Sequence, residues 1–204
     1  MKRLLTFFFL LAMSGCAIKP QPVNQFNVEA YTRPYQTEFG GVLTIVLDNS
    51  IPDNFEVSDN FRPMPVYNFR NSLRLSLYYT FADSFDEVQF AEAPADEGVT
   101  IHLFRIRPFW KVHQISEDVS GYADVVVTDQ IIFLSSLIRY DGMIYRDGKK
   151  SAVLDEEVIG ERVETNVRQW NKAFEDGIRE MCEDLYRHLA QTENPNIVTQ
   201  SSNQ

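Results

Sequence analysis

One stretch near the C-terminus restricts the fold more than any other. Val167, Trp170, Phe174, Ile178, Met181, Leu185 and Leu189 recur at spacings of three or four. That spacing puts them on one face of an α-helix more than five turns long. A helix with so long an apolar stripe has to lie against a second layer. Gly177 sits inside this pattern and weakens the helix by ~1 kcal/mol relative to alanine, so its presence suggests close contact with a sheet. A second, shorter stripe repeats every four residues at Phe69, Leu73, Leu77 and Phe81. It predicts a helix from about Asn68 or Asn71, either of which can cap it, to about Ser84.

Between and around these helices the pattern is that of strands. Val42 to Leu47 is almost continuously apolar, opens after Gly40-Gly41 and ends at Asp48-Asn49-Ser50, as expected of a strand buried on both faces. Glu87 to Ala91 reads as a short strand. Val99 to Arg107 reads as another, with Val99, Ile101 and Leu103 on one face and Thr100, His102, Phe104 and Ile106 on the other. Pro108 is expected to end or kink it. Ser116 to Gly121 reads as a polar connection and Tyr122 to about Tyr140 as a long strand. Both Asp141-Gly142 and Asp147-Gly148 are hairpin signals, compatible with one hairpin at Asp141 or with two short successive ones. Ala152 to Ile159 fits a last strand. Residues 49–67 contain Pro52, Pro63 and Pro65, which exclude a regular helix through that connection.

The element order β-α-β-β-β-β-α predicts an α+β two-layer sandwich. A mainly antiparallel sheet of 4–6 strands would carry two helices on one face. The expected organisation is a signal segment over 1–15, a tether over 16–39, one domain over 40–190 and a disordered tail over 191–204. The formal charge of −10 and the lack of a basic stripe disfavour nucleic acid as a partner.

The N-terminus indicates where such a domain works. Lys2 and Arg3 precede an apolar run, Leu4 to Ala12, and then Met13-Ser14-Gly15-Cys16. Basic, apolar and small residues in that order form a secretory signal, and the run is too short to span a bilayer as a helix. Small residues ending on a cysteine resemble the bacterial lipoprotein signal. An ordinary secretory signal would be cut near the same place, but it would not need the cysteine. The resemblance implies a mature chain beginning at Cys16, acylated there (palmitate included) and held to a membrane by its lipid. Ala17 takes the place of the aspartate that retains enterobacterial-type lipoproteins in the inner membrane, so the expected location is the outer membrane, facing the periplasm. Without residues 1–15 the chain loses two cations and no acid, so an anionic bilayer would repel its average charge. Cys182 remains without an intramolecular partner, so no disulfide is expected. With this signal, the strand–helix–strands–helix plan is similar to small Gram-negative envelope lipoproteins. These include the lipopolysaccharide-assembly lipoprotein, the auxiliary lipoproteins of ABC-type transport and the YajG-like family. The resemblance implies a non-catalytic accessory with an envelope protein partner.

Residues that carry chemistry are sparse. There is no P-loop, GxGxxG, GxSxG, HExxH or CxxC pattern. Three histidines, His102, His113 and His188, are spaced for no evident metal site. Asp155, Glu156, Glu157, Glu161 and Glu164 read as a solvated edge strand and a helix N-terminus. No enzyme activity, cofactor or metal is therefore expected. The candidate contact for a partner or ligand is Phe109 and Trp110 with Arg107, aromatics beside a cation of the kind enriched at interfaces. Packing into the core is the competing reading for the aromatics. A lipid- or glycan-binding protein using this region and the proline-rich loop is the alternative function.

Overall fold

The computed structural model describes Val23 and residues 38–57, 63–122, 125–164 and 170–193. The signal segment, Cys16, most of the tether, Val167 and the tail beyond Glu193 lie outside the described residues.

The sheet is built around β1 (Val42–Leu47). Leu43, Ile45 and Val46 are fully buried and Leu47 nearly so, in keeping with its unbroken apolar sequence. A parallel crossover through α1 (Phe69–Phe81) leads to β4 (Glu87–Ala91) on one side of β1. On the other side β1 pairs, again in parallel, with β5 (Val99–Tyr122). The antiparallel ladders follow: β5 with β6 (Val125–Arg146), and β6 with β7 (Lys149–Ile159) and β8 (Val163–Glu164). The order is β4-β1-β5-β6-β7, with β8 also on β6. The sheet is thus mixed, and α1 and the long α2 (Trp170–Glu193) form the second layer.

The proline-rich connection is more ordered than its sequence suggests. It carries a small antiparallel pair, β2 (Phe55–Val57) and β3 (Met64–Val66), and Val23 bridges to Val66. It also supplies the cap of α1. Asn68 is the residue before the helix, but it adopts φ 53° and its side chain makes no cap bond. Instead Arg70 N–H donates to the Asp53 carboxylate at 3.1 Å and Phe69 N–H to the Asp53 carbonyl at 2.9 Å. Two of the orphan donors of the first turn are thereby satisfied from the loop.

Three strand expectations are corrected. Pro108 does not end β5, which runs on to Tyr122 through the supposed connection at Ser116–Gly121. Past Leu103, β1 no longer flanks β5, and a strand with a free edge accepts proline. Asp141-Gly142 is no turn but lies within β6, where Gly142 stands opposite a bulge between Leu103 and Arg105. A Cβ at Gly142 would come within 2.5 Å of the His102 carbonyl oxygen, so the bulge itself requires glycine. The hairpin is at Asp147-Gly148, with φ 47° and 69°, the left-handed pair that a two-residue turn favours.

The bulge also reverses the alternation of β5. Before it, Val99, Ile101 and Leu103 enter the core; after it, Ile106 and Trp110 do. Ile106 is therefore core, not outer face. The helix layer packs its aromatics inward, with Phe69 near Phe174 and Phe81 stacked on Tyr186. Gly177 meets Ser136 of β6, where a Cβ would lie 2.8 Å from the serine Cβ. That contact is the close helix–sheet approach its sequence position suggested.

Candidate functional site

Both helices cover one face of the sheet, so the side chains that alternate outward on β5, β6 and β7 form a second, helix-free face. The bulge places Arg105, Arg107 and Phe109 there and turns Trp110 the other way. Trp110 is 3% exposed, donates its indole N–H to the Val57 carbonyl at 3.2 Å, and meets Trp170 edge-on. The expected aromatic pair is thus divided between two faces. Trp110 is core, because the register shift points it at α2, and it is not available as a surface contact. Phe109 and Arg107 remain on the outside.

Backbone register defines their neighbours. Arg105 stands opposite Asp141, which stands opposite Asp155; Arg107 stands opposite Arg139, which stands opposite Glu157. Phe109 pairs with Leu137, and Leu137 with exposed Ile159. The face therefore carries two charged rows beside an apolar one. Within it, Arg105 bonds Asp141 and Arg139 bonds Glu157. The Arg139 guanidinium also lies 5.5 Å from the Phe109 ring centroid, within cation–π range. Among the described residues, Arg107 and Asp155 have no partner. Each stands directly across from a like charge, Arg139 and Asp141, an arrangement that destabilises a cross-strand pair. The rows enclose an open depression of about 240 Å³ lined by Arg105, Arg107, Arg139, Asp141 and Asp155 with Glu156 and Glu157. That is smaller than the ~300–1,000 Å³ of ordinary ligand sites, and its lining is charged where theirs is mainly apolar.

A second polar cluster sits between α2 and β7. The Tyr140 hydroxyl donates to Asp184 Oδ2 at 2.6 Å, and Arg187 donates to Oδ1 at 2.9 Å. His188 Nε2 lies 3.2 Å from Glu156 Oε1 and 3.6 Å from Asp184 Oδ2. Burial opposes ionisation of Asp184, but the adjacent His188 and the hydrogen bonds from Tyr140 and Arg187 outweigh it and hold the carboxyl below the usual range. The neighbouring Asp184 carboxylate in turn raises the His188 imidazole above its ordinary value, against the effect of burial. Glu156, Asp184 and His188 place donor atoms within 4.8 Å of one another, close enough for a metal ion. With Arg187 and Tyr140 already engaging both Asp184 oxygens, the group is complete as a hydrogen-bonded ion cluster that ties α2 to edge strand β7.

The remaining sequence candidates are dispersed. His102 stacks edge-on against Phe104, and His113 lies 3.3 Å from Arg162. Cys182 is buried in the apolar core. Sequence reasoning found Arg107 and Phe109 but missed Arg139, Asp141 and Asp155 as their neighbours. Only the β5–β6–β7 register brings these together, and in sequence Asp141-Gly142 reads as a turn.

The fold is an α+β two-layer sandwich with one sheet face open. No protein-family model and no curated protein sequence matches the chain. Among solved structures it is similar to a Xanthomonas campestris protein of the family DUF330, with 12% identity and a TM-score of 0.48, covering 88% of this chain and 98% of that one. It is also similar to a minor lipoprotein of Acinetobacter baumannii, at 10% identity and a TM-score of 0.39 over 74% of this chain and 94% of that one. A third likeness is to the rare lipoprotein B of Shewanella oneidensis, at 11% identity and a TM-score of 0.39 over 74% of this chain and 96% of that one.

Proposed function

We propose that this chain is a non-enzymatic lipoprotein of the outer membrane, acylated at Cys16, that serves an envelope assembly or transport system by docking a protein partner on its open sheet face. The observation that carries the docking half is the frustrated charge pattern. Arg107 and Asp155 are solvent-facing, unpartnered among the described residues and each opposed by a like charge. A partner presenting the complementary charges relieves both repulsions at once, while the row of Phe109, Leu137 and Ile159 supplies apolar area beside them. A lipid- or glycan-binding role is less well supported, because the depression on this face is small and charged.

The anchoring half rests on the sequence from Lys2 to Cys16. The described residues include no helix long and apolar enough to cross a membrane. Fractionation of wild type and Cys16→Ser tests it. Wild type is expected in the membrane fraction with its N-terminus acylated, and the serine variant as soluble or unprocessed protein. A correctly cleaved serine variant retained at the membrane would contradict lipid anchoring. For docking, affinity recovery from detergent-solubilised membranes is the test. The double variant Arg107→Glu, Phe109→Ala is expected to recover at least ~10-fold less partner than wild type, a loss of about 1.4 kcal/mol. Equal recovery would contradict docking on this face.

A further inference from the structure

We propose that the outer stripe of α1, with Tyr67, Tyr78 and Tyr79, rests on the headgroup layer of the bilayer that holds the lipid anchor. Three observations converge on it. Tyr67, Tyr78 and Tyr79 are 44%, 42% and 50% exposed; Asn71, Arg74 and Tyr78 succeed one another at helical spacing on one solvent-facing stripe of α1, and Tyr67 is exposed just before the helix begins. Tyrosine, apolar in its ring and polar at its tip, is the residue type enriched where protein meets the bilayer surface.

The second observation is charge. The chain as a whole is strongly acidic, yet from Asn60 to Ala82 it carries Arg62, Arg70 and Arg74 and no acid. Arg70 is committed to the carbonyls of Leu47, Asp48 and Ile51. Arg74 is exposed, its guanidinium 5.5 Å from the Phe90 ring centroid. Within the stretch itself there is no acid to be repelled by anionic phospholipid, Asp53 and Asp83 lying at the two ends of α1, and each cation near such a surface is attracted to it.

The third is reach. Val23 is buried and hydrogen-bonded beside the stripe: its N–H donates to the Pro65 carbonyl at 2.9 Å, and Tyr67 N–H donates to the Val23 carbonyl at 2.8 Å. Six residues separate Cys16 from Val23, at most about 25 Å of chain from one to the other. The point where the chain joins the domain next to Tyr67 is therefore kept close to the lipid. A bilayer on the α1 side leaves the opposite, helix-free sheet face turned toward the periplasm, where a protein partner can reach it.

This inference rests on acylation of Cys16, and the experiment separates the two. The full-length acylated chain is reconstituted in vesicles of phosphatidylethanolamine and phosphatidylglycerol, with and without brominated acyl chains. Tryptophan is placed at Tyr79 (Tyr79→Trp) or, on the sheet face, at exposed Val153 (Val153→Trp); the native Trp110 and Trp170 are buried and set the background. The expected result is a blue-shifted emission from Tyr79→Trp that brominated lipid quenches beyond the wild-type background, with no such loss from Val153→Trp. Vesicle-bound, acylated protein in which Tyr79→Trp is quenched no more than Val153→Trp would overturn the inference and leave the anchor standing. Protein that carries no acyl groups would overturn both.

Discussion

Replacing Trp110 by alanine removes an indole packed against Trp170 and hydrogen-bonded to Val57. The expected cost is about 3–5 kcal/mol, read as a lower denaturation midpoint. Phe109→Ala, one residue away but on the half-exposed face, is expected to stay within roughly 1 kcal/mol of wild type while weakening partner recovery. Equal losses from the two would mean that the bulge before Ile106 does not reverse the strand. Aromatic residues beside a cation were legible in the sequence. Their division between two faces was not, because a bulge depends on which residues face each other across the ladder, and composition does not record that. Gly142 is the one local trace of it, and the aspartate before it imitates a turn signal.

At the scale of elements, α2 was legible throughout its described length, since its apolar period is long and its core face strict. Phe174, Ile178, Met181, Leu185 and Leu189 are all fully buried. Propensity and packing disagree at Gly177. Alanine would favour the helix by ~1 kcal/mol, yet its Cβ would stand 2.8 Å from that of Ser136, and Gly160, whose N–H donates to the Ser136 carbonyl, also lies close against the Gly177 backbone. Overpacking of this kind costs typically about 1–3 kcal/mol, so Gly177→Ala is expected to lower the melting temperature; a rise would show that the helix can move off the sheet. The clamp between α2 and β7 gives a pH dependence. His188 holds its proton more tightly in the folded chain, through Asp184 and with help from Glu156, against burial and Arg187. Its contribution is therefore complete below the ordinary histidine value and is lost as pH rises through the raised one. As pH rises from below the ordinary histidine value through the raised one, wild type is expected to lose more stability than His188→Gln does. Parallel pH profiles for the two would exclude His188 as the source. This cluster escaped the sequence reading because Glu156 comes from a strand and Asp184 and His188 from a helix, and only tertiary packing joins them.

For the whole molecule, alternating strands and two amphipathic stripes were enough to indicate a two-layer α+β sandwich. The mixed order β4-β1-β5-β6-β7 was not, because strand order depends on which edge each crossover reaches. That order gives the chain two unlike surfaces: a tyrosine-bearing helix beside the buried Val23, and a sheet face whose charges are left in conflict. The direct test of the docking claim is site-specific photo-cross-linking in intact cells, with the cross-linking residue placed at Arg107 on the sheet face or at exposed Lys172 on α2. Position 107 is expected to yield one discrete protein adduct that position 172 does not, and the adduct should disappear when Asp155 is also changed to lysine. Adducts of equal yield from both positions, or none from position 107, would contradict docking on the open face.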